Sequence, residues 1–489
     1  MRLLIYASAL ALIAMDALAQ DLPQANDAWF TEAQSAIRER LAITPNTNTA
    51  KNVILFISDG NGVGTNYATR LYDGQRNGNF GDENVLHYET YPYLGLAKTY
   101  NVNAQTPDSA GTGTAMHTGI KTRLGVLGVN ETVIRGDCAA VAGATVASIS
   151  DVATAMGKSV GIVSTARITH ATPGSVYAHT ADRRFENDTD VPDGCDVPDI
   201  ASQLIGEMQA GRIDVAFGGG RRNFLLEGDG GRRSQDDLVE IATARGIKYA
   251  SNVTEADDLP LDGSAPLLGL FAWSHMSYEA DRDPAQQPSL AEMTEIAITA
   301  LQNNSSGFFL SVEAGRVDTA NHANNVARTV TDGVAFTEAI IKADEMTDDA
   351  DTLIIVTADH AHAIAFNGYC GRGSDILGLC YGVAHDGIAH TDAPEIAKDG
   401  KPYTVVGYLN GPSSILREDK DWSGKRPDLD QEEATDLDYV QQALIPKSAE
   451  THSGEDVAIY AKGPYAHLMT GTVEQNYVFH VMDYAMKAQ

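Results

Sequence analysis

Residues 106–115, with the sequence TPDSAGTGTA, place a serine beside an acid in a loop of small residues, just before a predicted helix. Ser109 and Asp108 are the side chains in this segment that could take part in catalysis. Small neighbours leave space for a substrate, and the N-terminus of a helix offers free N–H groups and a positive field to an anion. The segment therefore predicts an exposed serine nucleophile. The alternative interpretation is that Asp108 or Ser109 only caps the helix.

Candidate metal ligands stand beside four apolar segments that are typical of strands. They are Asp59 after residues 53–57, Glu313, Asp318 and His322 after residues 308–312, Asp359, His360 and His362 after residues 353–356, and His452 before residues 456–460. A single Asp or His after a strand is usually a turn or structural residue, but so many groups at strand ends indicate a metal centre. Carboxylates with imidazoles suit zinc, whereas carboxylate and hydroxyl oxygens suit magnesium. Two zinc ions close together can activate an attacking oxygen and stabilise a leaving oxygen.

The apolar segments alternate with helical patterns, and this alternation predicts the fold class. Nearly continuous apolar runs, typical of strands buried on both faces, cover residues 52–57, 160–163, 215–217, 308–312 and 353–356. Helical patterns separate them at residues 147–156, 200–208 and 290–301. A strand at 456–460 and a helix at 476–486 follow. We predict an α/β fold, a three-layer sandwich around a large, mainly parallel sheet, which binds ligands at the carboxyl ends of its strands.

We expect one large domain with additions, because no linker composition interrupts the chain. Residues 20–50 predict an N-terminal helix, over about 26–41, followed by an arm, and residues 51–489 predict the catalytic domain. Within that domain, residues 365–448 are rich in Gly, Pro and Asp. This composition favours turns and short strands, and it predicts an insertion with its own small β structure.

Residues 1–19 are typical of a secretory signal peptide. Arg2 precedes an apolar run, and the small residues Ala17 and Ala19 precede Gln20, which matches the order of such signals. No later stretch is apolar enough to span a membrane. The sequence therefore predicts an exported protein, periplasmic or extracellular, and retention of the signal as an anchor is the alternative.

The four cysteines predict two disulfides, because an even, low count is typical of exported chains. The simplest pairing joins Cys138 to Cys195 and Cys370 to Cys380. Two other pairings stay open at this point. No cysteine lies in a motif of a thiol enzyme.

The chain carries a net charge of −31, from 66 acidic and 35 basic residues. This charge argues against a nucleic-acid-binding surface, which would be basic. It predicts a strongly negative surface that salt screens, as in a halophilic, salt-adapted protein. The alternative is an acidic surface that only aids solubility.

Together the motifs resemble the alkaline phosphatase family over nearly the whole chain after the signal. The matching segments are Asp59-Gly60, TPDSA at 106–110, Ala171-Thr172-Pro173, residues 313–322, Ala358-Asp359-His360, THSGED at 451–456 and a crown-like DGKPYT at 399–404. This last segment and the helix with Trp29-Phe30 are closer to the animal branch than to the short enteric bacterial type. The resemblance implies a phosphoric monoester hydrolase with a phosphoserine intermediate, two Zn²⁺ and one Mg²⁺ per chain, and a homodimer.

The resemblance also implies a role for each matching residue. Ser109 is the nucleophile, Arg183 holds the phosphate, with Arg184 as the fallback, and Asp108 orients the arginine. The implied ligands are Asp318, His322 and His452 for the first zinc, Asp59, Asp359 and His360 with Ser109 for the second zinc, and Asp59, Thr172 and Glu313 for magnesium. His170 would stand beside the magnesium, where enteric enzymes carry an aspartate and animal enzymes a histidine, so the metal preference there is open.

Two features depart from the animal branch. Its calcium-like site uses an acid after Gly-Leu-Phe and another before a proline, whereas this chain has Ala272 and Gln287 there. Calcium needs several oxygen ligands with charge among them, so we expect no calcium site. No apolar tail follows Met486, so a lipid anchor of the animal kind is not expected.

Other functions remain as alternatives. A phosphodiesterase of the same superfamily usually has a threonine nucleophile, and a sulfatase needs a Cys/Ser-x-Pro-x-Arg motif that Ser109, Cys138 and Cys195 do not provide. A non-catalytic metal-binding surface protein would be expected to lack the nucleophile or a ligand.

Overall fold

The computed structural model describes residues 22–416 and 424–488 of the chain. The predicted signal at residues 1–19 lies outside the described residues. The chain divides into two compact units, Met1–Pro45 and Asn46–Gln489.

The second unit is built on a ten-stranded sheet with the order β17-β2-β16-β8-β1-β7-β3-β4-β6-β5. Only β16, among the described strands of this sheet, runs antiparallel to its neighbours, β2 and β8. The strands of the chain are β1 Asn52–Ser58, β2 Tyr93–Lys98, β3 Ser159–Arg167, β4 Val215–Gly219, β5 Lys248–Ala250, β6 Leu267–Leu270, β7 Phe308–Ala314, β8 Thr352–Ala358, β9 Ala361–His362, β10 Ile364–Phe366, β11 Tyr381–Val383, β12 His390–Pro394, β13 Val406–Gly411, β14 Ala443–Pro446, β15 His452–Ser453, β16 Val457–Lys462 and β17 Gly471–Glu474. The predicted mainly parallel sheet is confirmed.

Helices connect the strands. They are α1 Ala28–Ala42, α2 Val63–Arg76, α3 Ser109–Thr118, α4 Cys138–Val141, α5 Ile149–Ala155, α6 Ala171–Gly174, α7 Ile200–Gln209, α8 Leu238–Ala244, α9 Val253–Asp257, α10 Leu290–Leu301, α11 Arg316–His322, α12 Val326–Met346, α13 Gln431–Thr435 and α14 Tyr477–Lys487. The predicted helix at 290–301 has the observed bounds of α10 because a capping box at Ser289 and Glu292 starts it.

The central strand β1 shows how the layers form. Val53, Leu55 and Ile57 join one apolar cluster, which includes residues of α7 and α14. Ile54 and Phe56 join a second cluster, which includes residues of α10 and α12. Successive side chains of a strand point to opposite faces, so helices cover both faces of the sheet. The α/β class and the three layers therefore follow from one continuous apolar strand.

Short strands in the region 364–446 form two small sheets, β10-β13-β14 and β11-β12.

The structure contains both disulfides of the simplest pairing, Cys138–Cys195 and Cys370–Cys380. The second disulfide lies in this region and closes a short loop beside β11. Within the described part of the chain, we find no helix that combines the length and the apolar character needed to cross a bilayer.

The first unit contains α1. Asp27 caps this helix by accepting a hydrogen bond from the Trp29 backbone N–H at 2.9 Å. Its larger apolar side chains, Trp29, Ile37 and Leu41, are exposed.

Candidate active site

The register of three neighbouring strands brings the predicted acids together. The end of β1 is level with Ala314 of β7 and with Ala358 of β8. Asp59 and Asp359 come directly after their strands, and Glu313 is one residue before the end of β7. Because all three strands are parallel, these carboxylates meet at the carboxyl edge of the sheet.

Three buried carboxylates and one imidazole form what we call the carboxylate group: Asp59, Glu313, Asp359 and His360. The His360 Nε2 atom lies 3.3 Å from Asp59 Oδ1 and 3.3 Å from Asp359 Oδ2. Burial and then the neighbouring acids raise the pKa of Asp59 well above its usual range, and burial raises the pKa of Glu313 to about 7. Among the described residues, both oxygens of Asp59, one each of Asp359 and Glu313, and the Thr172 hydroxyl have no hydrogen-bond partner. Buried acids with unsatisfied oxygens fit a bound cation.

The second set, the imidazole group, surrounds one acid with three imidazoles: Asp318, His322, His362 and His452. Asp318 Oδ1 lies 2.8, 3.3 and 3.4 Å from the Nε2 atoms of His362, His322 and His452. Burial alone would raise the pKa of Asp318, but the imidazoles hold it well below its usual range. Mixed carboxylate and imidazole donors are typical of zinc.

Backbone carbonyls orient two of these imidazoles. His322 Nδ1 donates to the carbonyl of Glu450 at 2.5 Å, and His452 Nδ1 donates to the carbonyl of Pro107 at 2.9 Å. A carbonyl can only accept, so each Nδ1 carries a proton, and in the neutral ring of this tautomer Nε2 is the atom with a lone pair. The two Nε2 atoms are 3.2 Å apart and cannot bond each other. This arrangement of fixed, facing lone pairs is the one that a metal ion would use.

The serine of the 106–115 segment is the first residue of α3. Asp108 caps the helix, because its Oδ1 accepts from the Gly111 N–H at 3.1 Å. Ser109 Oγ lies 3.2 Å from His360 Nε2, which joins it to the carboxylate group. The prediction of an exposed nucleophile is wrong in one respect, since Ser109 is only 2% exposed. Every residue of α3 is buried, so the helix that carries the serine is part of the domain interior.

Arg183 reaches the same place from the loop after α6. Its Nη1 donates to Asp108 Oδ2 at 3.1 Å, and its Nη2 donates to His170 Nε2 at 3.0 Å. Asp108 therefore both caps α3 and holds the arginine, and the two interpretations of this acid are compatible. Arg184, the fallback, is exposed, and its backbone N–H bonds to Asp182.

His170 stands between the arginine and the carboxylates. It forms a further possible metal group with Asp59 and Glu313. Burial and the nearby Arg183 and Arg167 hold the pKa of His170 well below its usual range. The ring is therefore neutral, and it can accept the hydrogen bond from Arg183.

Two residues that lie in the sequence motifs, His362 and Gly60, were given no role from the sequence. His362 lies between Asp318 and Glu450: its Nδ1 bonds the buried Glu450 carboxylate, and its Nε2 bonds Asp318. Burial alone would lower the pKa of His362, but these two acids raise it to about 10. The sequence feature that could have indicated a role for His362 was its spacing from His360, because residues two apart in an extended segment share a face. Gly60 has a φ of +72°, and a Cβ there would meet the His362 ring at 2.4 Å, so this turn requires glycine.

The fold and the site define an α/β protein with a serine, an arginine and two groups of candidate metal ligands at one sheet edge. Residues 50–488 match the pattern of the alkaline phosphatase family. The chain is 41% identical over 483 residues to the tissue-nonspecific isozyme of alkaline phosphatase from Rattus norvegicus and 40% identical over 481 residues to that from Homo sapiens. Each alignment covers 94% of this chain and 88% of the relative.

Solved structures show the same fold. The alkaline phosphatase of Thermus thermophilus aligns with a TM-score of 0.64 at 25% identity, over 91% of this chain and 93% of that one. The alkaline phosphatase of the Antarctic bacterium TAB5 aligns with a TM-score of 0.61 at 23% identity, over 91% and 99% of the two chains. The chain belongs to the alkaline phosphatase family, and it is a metal-binding hydrolase of phosphate monoesters.

Proposed function

We propose that this phosphatase works through a phosphoserine on Ser109 and binds two zinc ions and one magnesium ion per chain. The main support is the position of the Ser109 hydroxyl, which lies 3.2 Å from His360 Nε2. It stands within a cluster of buried acids that have oxygens without hydrogen-bond partners. Asp318, His322 and His452 would hold the first zinc. Asp59, Asp359 and His360, with Ser109, would hold the second. Asp59, Thr172 and Glu313 would hold magnesium.

The unsatisfied atoms support this assignment. The Thr172 hydroxyl and one Glu313 oxygen are oxygen donors of the kind that magnesium prefers, and neither has a hydrogen-bond partner among the described residues. The imidazole group offers fixed Nε2 lone pairs, which zinc prefers. When bound, such metal ions act as Lewis acids that lower the pKa of a coordinated oxygen and stabilise charge on a departing one.

The residues of the chain provide the rest of the chemistry. Ser109 Oγ attacks phosphorus, so that an O–P bond to serine forms while the ester O–P bond breaks and the alcohol leaves. Water then attacks the phosphoserine and releases phosphate. Arg183 would hold two non-bridging oxygens through its planar guanidinium. Asp108 orients that guanidinium by accepting a hydrogen bond from its Nη1. The N-terminus of α3 adds N–H groups and a positive field at the same point.

Several properties of the whole molecule belong to this proposal. The domain is residues 51–489 with a crown-like insertion at 365–448, residues 1–19 are removed as a signal, and the enzyme is exported, periplasmic or extracellular.

The enzyme is a homodimer in which α1, with its exposed Trp29, contacts the partner. Deleting residues 20–42 should weaken that dimer in sedimentation at low concentration. An unchanged dimer would show that α1 has another role.

We also propose that the chain has no calcium site, because Ala272 and Gln287 provide no carboxylate. In the structure, Gln287 Oε1 instead accepts the Ser277 backbone N–H at 2.9 Å. Elemental analysis of the purified protein should find zinc and magnesium without calcium. One calcium ion per chain that survives dialysis would contradict this.

The nucleophile is tested with Ser109→Ala. Turnover of a nitrophenyl phosphate monoester should fall by at least about 1,000-fold, because removal of a nucleophile forfeits the covalent route, and acid quenching should trap no phosphoserine. Ser148→Ala is the control, since Ser148 is a buried helix cap on α5 whose hydroxyl bonds to Ser150 and Asp151. Labelled phosphate that still becomes covalently attached to the Ser109→Ala protein would refute the assignment.

A further inference from the structure

A buried histidine on the nucleophile helix is not used by the proposed chemistry. His117 is fully buried near the end of α3, eight residues after Ser109. Both of its ring nitrogens have partners on other elements, and these elements carry proposed magnesium ligands. A buried polar side chain with no partner would be costly, so these contacts explain why the position tolerates a histidine.

The first contact is with the segment that carries Thr172. His117 Nδ1 lies 2.9 Å from Ser175 Oγ and 3.0 Å from the carbonyl of Gly113 in its own helix. Ser175 Oγ in turn donates to the Thr172 carbonyl at 2.7 Å. Since Ser175 uses its proton there and a carbonyl only accepts, His117 Nδ1 must be the donor to both.

The second contact is with the strand that carries Glu313. His117 Nε2 lies 3.2 Å from Ser311 Oγ. With the proton on Nδ1, Nε2 is the acceptor, and Ser311 donates. Ser311 is two residues before Glu313 in β7, so their side chains share one face of the sheet. Burial lowers the pKa of His117 to about 4, which is consistent with this neutral tautomer.

The helix also comes unusually close to the Thr172 segment. A Cβ at Gly113 would meet Ser175 Oγ at 2.6 Å, so only glycine permits this spacing. Gly113 allows the approach, and His117, one turn further on, holds it with hydrogen bonds to both neighbours.

We infer that His117 is a positioning residue, which ties the nucleophile helix to the Thr172 segment and to the Glu313 strand. It acts through Ser175 and Ser311 and touches neither substrate nor metal. The inference rests on the proposed function, because it gives Thr172 and Glu313 their role as magnesium ligands. Its consequence is that magnesium affinity and the placement of Ser109 depend on one side chain.

The test is the response of His117→Leu to magnesium. Leucine fills the space but leaves Ser175 and Ser311 without their partner. After removal of magnesium, the Mg²⁺ concentration for half-saturation in equilibrium dialysis and that for half-maximal activity should both rise by about 10-fold, and kcat should fall by about 10-fold, as for other residues that support metal ligands. KM should change little, because Arg183 is held separately by Asp108. His117→Gln, whose amide can donate and accept, should recover part of both losses.

Ile298→Ala is the matched control, since Ile298 is a buried residue of α10 in the cluster on the other face of the sheet. It should lower thermal stability without changing the magnesium response. The inference is overturned if His117→Leu responds to magnesium like the wild type, or if Ile298→Ala shifts the response equally. Should His117→Leu not fold, Ser311→Ala provides the same comparison, and an unchanged response there also overturns it. A wild-type enzyme with no magnesium response would instead remove the proposed third site, and this inference with it.

Discussion

The imidazole group and the carboxylate group lie side by side, but the pKa values of their carboxyl groups are shifted in opposite directions. In the imidazole group, three imidazoles surround Asp318 and hold its pKa low. In the carboxylate group, burial and neighbouring acids raise the pKa values of Asp59, Asp359 and Glu313. The first group is held by hydrogen bonds through His362 and two backbone carbonyls, whereas the second leaves several buried oxygens without partners.

This difference indicates what each group requires of a metal. The imidazole group is pre-organised by backbone carbonyls and by the Glu450–His362–Asp318 chain, so the protein determines its geometry. The carboxylate group depends on a cation to offset like charges in a low-dielectric interior. We therefore expect loss of metal to disturb the carboxylate group more. The following predictions test this comparison, from the largest effect to the smallest.

The largest effect should come from Asp59→Asn. Asp59 belongs to two of the possible metal groups, with Asp359 and His360 and with His170 and Glu313. Its neutralisation should lower both zinc and magnesium content and reduce kcat/KM by more than about 100-fold, which is the upper range for residues that only support ligands. His322→Asn is the comparison and should lower zinc content alone. If Asp59→Asn retains its magnesium, Asp59 is not shared between the sites.

A smaller effect is expected for His362→Asn, which breaks the link between Asp318 and Glu450. The zinc concentration for half-maximal reactivation of the metal-free enzyme should rise by about 10-fold, and the magnesium response should stay unchanged. His87→Asn is the control, because His87 pairs with Asp344 outside the site. An equal change in the magnesium response would show that the two groups are not independent.

In the metal-free protein, the acids of the carboxylate group should contribute stability that is lost as pH rises. Asp59, Asp359 and Glu313 have higher pKa values in the folded chain than in an unfolded one, so the folded state binds more protons. The stability that this provides is fully present below about pH 4 and is lost as pH rises through the folded pKa, about 7 for Glu313. Between pH 5 and pH 8 the melting temperature of the metal-free wild type should fall relative to that of metal-free Glu313→Gln. Buried histidines with lowered pKa values, such as His117 and His170, change stability over this range equally in both proteins.

The metal-loaded enzyme should lack this part of the decrease, because its acids are then ionised ligands. Asp332 needs separate control, since burial raises its pKa to about 8 and it lies outside both groups. The comparison is therefore best made in an Asp332→Asn background by calorimetry with and without chelator. A metal-free wild type whose melting temperature does not fall relative to that of Glu313→Gln would show that the raised pKa of Glu313 contributes no stability at low pH.

The smallest effect should come from sodium chloride. The net charge of −31 creates self-repulsion, and the Debye length shrinks from about 30 Å at 0.01 M to about 3 Å at 1 M. Melting temperature and activity should both rise modestly over that range if the protein is salt-adapted. Because salt screens exposed charges rather than the buried groups, the rise in melting temperature should be the same with and without metal. A flat or falling curve would exclude salt adaptation.

The sequence by itself determined the strands and helices of the core. The apolar runs at 52–57, 308–312 and 353–356 all became central strands, because strands covered on both faces need continuous apolar character. Strand β2, which lies between β16 and β17, was not predicted, since its residues alternate between buried and exposed positions. Strand β6 was not predicted either, although all four of its residues are buried. Strand ends and a helix start drew attention to Asp59, Asp359 and Ser109 in the sequence, whereas Arg183 was proposed only through the resemblance to alkaline phosphatases.

Only the tertiary structure decided how these residues meet. The register of β1 with β7 and β8 sets Asp59 beside Glu313 and Asp359, and register depends on contacts between residues hundreds of positions apart. The burial of Ser109, the role of His362 and the links of His117 likewise depend on partners that are distant in sequence. A sequence shows which side chains could bind metal or substrate, whereas their hydrogen-bond partners, tautomers and pKa values depend on which surfaces fold against them.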